Sequence, residues 1–405
     1  MVEVKPFRGV RYSDGVELSR VVAPPYDVIS EEELQRYYAM HPRNVVWLDL
    51  NPERGERRYA KAAELYRSWR REGVLVREAE PCLYFYSQEY TLRSRKRHLH
   101  GIIACVRLSS YDDGEILPHE RTLREPKKDR LMLMRHVKAV FSPIYMLHEL
   151  EPLSSSSAEP VADFEAMGVR HRLWKLSDGD EISRIVRALR SSRLFIADGH
   201  HRYETALGYA AERGGSGGEP HHYVLAYLVS ASDPGVSILP AHRLVRHRFS
   251  TGEFLRRAKE YFEHSRFDAL DEFLDALYAD RRNTGLYAGD GYHLLTLRDY
   301  SVMDELLAKR SEAVRRLPVS VLHSLIFRKL MGFESHEHNT SYSVSEQECV
   351  EQVDSGRYDA VFFLNPTTVQ EVCRVAEEGE RMPGKATYFH PKPLTGLVVH
   401  ELEKW

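Results

Sequence analysis

A mixed α/β fold is the class that this 405-residue sequence predicts, and three observations carry it. Residues 194–197, Leu-Phe-Ile-Ala, form a short apolar run of the kind a buried strand needs, and from Arg202 to Glu212 the recurrence of Ala206, Leu207, Ala210 and Ala211 is helical. Asp198 and Gly199 between them supply turn chemistry. Elsewhere, runs that alternate in the manner of strands are interspersed with amphipathic stretches of helical period. Finally, the texture shifts near Thr251 to helical stretches around a hairpin pattern. The expected organisation is therefore a core at 1–249 and a C-terminal α+β module at 250–405.

Taken in order, residues 2–10 read as extended. Residues 21–23 read as a strand ended by Pro24-Pro25, which cannot continue a ladder. Ser30 is placed to cap a helix whose first turn carries Glu31, Glu32 and Glu33. Residues 44–50 read as a strand. Pro52 and Glu53 open a helix running to Glu72, with Tyr59, Ala62, Ala63, Tyr66 and Trp69 as its apolar stripe. Residues 82–90 alternate as a strand, 93–98 form a basic hairpin tip, and 100–108 return. A helix at 131–140, a strand at 141–147, an exposed polar loop at 149–158, a helix at 181–190 and a strand at 222–229 follow. In the C-terminal part, helices are expected at 254–262, 270–278, 303–316 and 367–378. Strands are expected at 286–288, 293–297 and 360–364. His336 and His338 would share one face of a strand and offer two imidazoles to a metal, with no third ligand identifiable nearby.

The candidate chemistry starts at the turn after the strand at 194–197. The first amides of a helix have no internal partner and carry partial positive charge, so a phosphate sits well there. Gly199 lets a ligand approach the backbone, and His200, His201 and Arg202 add donors. Pro118 ends a strand and leaves His119 and Glu120 on a constrained loop, where a carboxylate beside an imidazole can serve as a general base. Lys128 and Arg130 can neutralise phosphate oxygens. His242 and Arg243 follow Pro240 in the same way. Asp27 stands on a proline-stiffened loop beside a helix N-terminus.

Asp198-Gly-His-His-Arg202 with Glu204-Thr-Ala206 resembles the phosphate-cradling turn of the ParB/sulfiredoxin superfamily. Over the whole chain the sequence resembles domain-of-unknown-function family 1015. The likeness runs from Lys5-Pro-Phe-Arg-Gly9 through 116–122, 127–131 and 239–245 to Phe389-His-Pro-Lys392 and Gly396-Leu-Val398. The resemblance implies a ParB/sulfiredoxin-like core with insertions and a nucleotide phosphate held by the turn. It also places Asp27 and the His119–Glu120 loop at the active site. The superfamily includes a free-serine kinase, so it implies a nucleotide-dependent phosphotransferase acting on serine or phosphoserine, using ATP or ADP with Mg²⁺. Catalytic candidates are Glu120, Asp27 and Asp198, and phosphate ligands are Gly199, His200, His201, Arg202 and Arg130. His119, Lys128, His242 and Arg243 are substrate-binding candidates. The family usually has serine where Ala386 stands, which leaves Lys385, Thr387 and Lys392 as the candidates of the closing motif. Two other functions fit the same residues: a nucleotide-binding switch of ParB type, and a metal-dependent phosphoesterase suggested by the 20 histidines.

Composition narrows the partners. The formal net charge of −3 argues against tight binding of a nucleic-acid duplex, which needs an extended basic face. No run approaches the roughly 20 apolar residues of a membrane helix, and no signal-peptide pattern opens the sequence. Four cysteines without a Cys-x-x-Cys pair fit a reducing compartment. A cytoplasmic enzyme with a small-molecule substrate is the expectation.

Overall fold

Residues 1–153, 159–336 and 338–405 are described by a computed structural model of the chain. They divide into two units, the first made of 1–118, 122–237 and 391–405, and the second of 119–121 and 238–390. The sequence places one boundary between 249 and 250. The main division falls between Ser237 and Ile238, and the closing segment returns to the first unit.

The first unit is built on a nine-stranded mixed sheet. Its strands are β1 (Val4–Lys5), β2 (Leu83–Leu92), β3 (Arg95–Arg107), β4 (Ile116–Leu117), β5 (Ile144–His148), β6 (Ala162–Ala166), β7 (Val169–Leu176), β8 (Leu194–Asp198) and β9 (Tyr223–Ser230). Across the sheet the order is β4-β8-β5-β9-β3-β2-β7-β6, with β1 also paired to β3. The β4–β8 and β5–β9 pairs are parallel and the others antiparallel. Side chains alternate faces along a strand. Ile102, Ala104 and Val106 of β3 thus share a core with Ile144 and Met146, Leu194 and Ile196, and Val224, Ala226 and Leu228. Ile185 and Leu189 of α4 (Gly179–Arg190) and Tyr203, Ala206 and Tyr209 of α5 (His200–Arg213) close that core.

A second core lies around the long amphipathic helix, observed as Glu56–Arg71. Ala62, Ala63, Tyr66 and Trp69 pack with Val10, Tyr12, Leu75, Leu133 and Phe141. Ser30 caps the helix Glu31–Met40 through a reciprocal capping box with Glu33. The basic turn is tighter than its charge pattern suggested. Arg93 (φ 48°) and Ser94 (φ 59°) form a two-residue hairpin loop, so the return strand starts at Arg95.

Two expected strands are not strands. Residues 44–50 contain the one-turn helix Val46–Asp49, because the Asn44 side chain accepts from the Val46 amide while Val45, Val46 and Leu48 bury together. Residues 18–21 form a helical turn, and Ala23 makes only a single bridge to Thr395. β-branched residues fit a pleated surface when one is offered, and here packing decides otherwise. The hairpin β6–β7, which turns at Met167 and Gly168, is an addition.

The second unit carries a six-stranded antiparallel sheet. Its strands are β10 (His242–Val245), β11 (Phe262–Phe267), β12 (Asn283–Tyr287), β13 (Tyr292–Leu297), β14 (Thr340–Ser343) and β15 (Ala360–Leu364), in the order β11-β13-β12-β15-β10-β14. Leu270–Ala279 and Glu346–Asp354 cover its core. The stretch 303–316 forms two short helices rather than one, and Val321–Met331 is wound as a π-helix. His336 and His338 lie outside any strand, so the shared face suggested for a metal is not formed, and Glu337 lies outside the described residues. So do residues 154–158 of the expected polar loop. Among the described residues, no helix is long and apolar enough to cross a membrane.

Candidate phosphate site

β8 ends at Asp198, after a register shift against β5 between Ile196 and Asp198. Gly199 then adopts φ +98° and ψ 27°, in the left-handed region, and caps α5. A Cβ here would lie 2.9 Å from the Arg202 guanidinium, so both backbone and space require glycine. The cap has no side chain to bind the first-turn amides, and no acidic residue stands in that turn.

Asp198 is the electrostatic centre of the turn. Arg202 donates to one of its oxygens at 2.6 Å and also to the Pro143 carbonyl, and Lys392 donates to the other oxygen. Side-chain exposure is 13% for Asp198, 8% for Arg202 and 9% for Lys392. Burial alone would raise the Asp198 pKa. The charges of Lys392 and Arg202 overcome it and hold the carboxyl well below the usual range, with His200 acting in the same direction. The three named side chains together carry one net positive charge beside a helix N-terminus.

Segment 122–130 packs alongside. Thr122 and Lys127 donate to Glu204 at 2.6 and 2.7 Å, and the Leu123 amide donates to His201 Nε2 at 2.8 Å. His201 Nε2 is therefore an acceptor, with its proton on Nδ1. Arg130, expected to meet phosphate, is buried and donates to Asp49 at 2.8 Å and Asp129 at 2.5 Å, and its guanidinium lies 4.3 Å from the Tyr26 ring centre. Lys128 is exposed. Asp27 is exposed in the turn Tyr26–Val28. The Tyr26 hydroxyl is pushed up to about 12 by burial and by the Asp27 charge, against the opposing pull of Arg130 and Arg202. Tyr26, Asp49, Ser142, Arg130, Arg202 and Thr205 help line a cavity of about 40 Å³. That holds a few waters and no nucleotide.

The remaining candidates belong to the second unit. His119 Nε2 and Thr387 Oγ1 are 2.9 Å apart, and Glu120 accepts from the Lys385 amide at 3.2 Å. Arg243 is buried and donates to the carbonyls of Ala241, Gly384 and Lys385. Burial lowers its pKa to about 10, against the opposing charges of Tyr342 and Glu120. His242 Nδ1 accepts from the Leu364 amide at 3.2 Å, a bond internal to the sheet. Asp27, Asp198–Arg202, Lys128 and Arg130 thus belong to one unit, and His119, Glu120, His242 and Arg243 to the other. Tyr26 and Asp49 carried no sequence signal. Lys392 was marked by its motif but not by its partner.

Among solved structures, a free serine kinase in complex with AMP is similar to this chain at 13% identity and a TM-score of 0.35, covering 68% of this chain and 84% of that one. A conserved hypothetical protein from Pyrococcus furiosus matches at 12% identity and TM-score 0.33, covering 68% and 87%. SbnI with a C-terminal truncation, from Staphylococcus aureus, matches at 11% identity and TM-score 0.37, covering 72% and 85%. Likeness at this level assigns no chemistry. No curated protein matches the chain. The pattern of one family, described as protein of unknown function (DUF1015), matches residues 4–320, and the chain belongs to that family.

Proposed function

We propose that this protein is a nucleotide-dependent phosphotransferase of ParB/sulfiredoxin-like architecture, using ATP or ADP with Mg²⁺ and acting on serine or, in reverse, phosphoserine. The observation that carries the reading is the glycine-capped start of α5, flanked by the Asp198–Arg202–Lys392 cluster. Phosphoryl transfer needs little from a protein beyond phosphate positioning, charge neutralisation and a base for the acceptor hydroxyl. In this reading the backbone of Gly199–His201 holds nucleotide phosphate. Arg202 shares its guanidinium between Asp198 and the ligand, and Asp198 positions both cations. Asp27 takes the hydroxyl proton, and Glu120 is the alternative base.

The test is calorimetry with ADP and ATP in the presence of Mg²⁺, followed by turnover with serine and without it, on wild type, Asp27→Asn and Glu120→Gln. Loss of the base should cut turnover and leave nucleotide affinity nearly unchanged, because a base acts in the transition state. A wild-type protein that binds neither nucleotide removes the proposal. Nucleotide turnover indifferent to serine removes the acceptor assignment alone.

A further inference from the structure

Away from the glycine turn, at the far end of α5, the chain passes through Gly214–Gly218 and a short 3₁₀ turn, Pro220–His222, before entering β9. Glu219, His221 and His222 come together there, with one ligand atom from each lying within 4.8 Å of the other two. We infer that these three side chains form a binding site for a divalent transition metal of the zinc class.

The arrangement of the donors supports this. His221 Nε2 lies 2.8 Å from the Gly214 carbonyl, which can only accept, so Nε2 carries the proton and Nδ1 keeps its lone pair. Metal-bound histidines are oriented in this way, through a carbonyl on the other ring nitrogen. His222 Nδ1 is buried and makes no hydrogen bond, although Glu219 Oε2 is only 3.1 Å away. A carboxylate oxygen and a ring nitrogen at that distance share either a proton or a metal ion, and both atoms are metal donors once the proton is gone. The two imidazole rings lie 4.4 Å apart, centre to centre. The Glu219 carboxylate is held by the amides of Ser216 and Gly217 at 2.9 and 3.0 Å. The backbone around the group is also fixed, by Trp405 Nε1 donating to the Gly218 carbonyl at 2.7 Å and by His400 Nε2 at 3.0 Å from the Pro220 carbonyl.

Two imidazoles and one carboxylate suit zinc, cobalt, nickel or iron in the divalent state better than Mg²⁺ or Ca²⁺, which prefer oxygen ligands throughout. Three protein ligands leave a fourth position for water. The site is separate from the Mg²⁺ invoked for nucleotide and does not depend on it. Bound metal would staple the glycine-rich loop to the start of β9.

Full-length protein freed of metal by chelator is titrated with Co²⁺, whose visible bands report imidazole coordination, and with Zn²⁺ in a calorimeter. One ion per chain is expected. The His221→Ala/His222→Ala double variant should lose it, and Glu219→Gln should weaken it at least about tenfold. In wild type, Zn²⁺ should also protect His221 and His222 from diethyl pyrocarbonate, read by mass spectrometry. This readout holds even if a variant fails to fold. No uptake by wild type, unchanged uptake by the double variant, or undiminished modification of both histidines overturns the inference.

Discussion

Lys392 donates to the Asp198 carboxylate across 194 positions of sequence, tying the closing segment 391–405 to the strand that ends in the glycine turn. Arg202 holds the other carboxylate oxygen. A buried charge cluster of this kind is most sensitive to losing its one anion. Asp198→Asn leaves Arg202 and Lys392 facing each other without it, and should destabilise the protein by about 3–5 kcal/mol, measured by urea denaturation. Lys392→Met keeps the Asp198–Arg202 pair and should cost clearly less. Equal losses would mean that the cluster is not organised around Asp198.

Acid should act on two groups of residues in different pH ranges. The Asp198 carboxyl is depressed when folded, so its contribution is complete above the ordinary aspartate value near ~4. It disappears only as the pH falls from there toward the lowered folded value. His148, His171 and His400 are depressed to about 4 by burial, which keeps them neutral. The unfolded chain protonates them near ~6.5. Between those values the unfolded state binds more protons, so stability must fall as the pH is lowered through that window. Denaturation near pH ~5, midway through that window, should show uptake of between two and three protons on unfolding from these residues, falling below about one at pH ~7. A flat profile would contradict their burial as neutral imidazoles.

Several parts of this architecture are written in local sequence. The Ser30–Glu33 capping box, the Trp69 stripe and the change of period at Asp198 involve neighbours a few residues apart, and each is visible without a structure. The partners that decide charge are not local. Nothing near Arg130 signals that Asp49 will absorb it, and nothing near Asp198 points to Lys392. The run at 44–50 misleads for a related reason. Its valines look like strand residues, but the Asn44 side chain starts a helical turn, and burial against Trp69 and Phe141 rewards that conformation.

The β2–β3 hairpin turns on two residues in left-handed conformation, neither of them glycine. Such two-residue loops favour Asn-Gly, because most side chains strain the backbone at positive φ. Replacing Arg93 with Asn and Ser94 with Gly should stabilise the protein by about 0.5–1 kcal/mol, net of the extra unfolded-state entropy of glycine. Thermal melting of the double variant checks this, and a lower midpoint would show that the Arg93 or Ser94 side chain holds the turn by other means.

Gly285, in the sheet of the second unit, has no room for a methyl group. A Cβ there would lie 2.2 Å from the Phe273 ring and 3.1 Å from Phe363. Both rings are fully buried. Gly285→Ala should therefore cost about 1–3 kcal/mol as overpacking, read by denaturation. A neutral outcome would mean that the Phe273 ring can swing aside.

The glycine turn separates stability from function most sharply. Gly199→Ala places a Cβ against the Arg202 guanidinium at φ +98°, so it strains the backbone by about 1–2 kcal/mol and displaces the group that holds Asp198. If the first-turn amides of α5 hold phosphate, the same change misaligns them. The loss of one charge-assisted hydrogen bond, about 1.5–3 kcal/mol, then lowers affinity for ADP by roughly ten- to a hundredfold. Gly208 lies on the same helix with open space around its Cα, so Gly208→Ala is the matched control. It should gain about 0.5–1 kcal/mol in stability and leave ADP affinity unchanged. Calorimetric titration of both variants, beside their denaturation curves, distinguishes the cases. A Gly199→Ala protein that is destabilised but binds ADP as wild type does would make the turn a structural device and place the phosphate elsewhere.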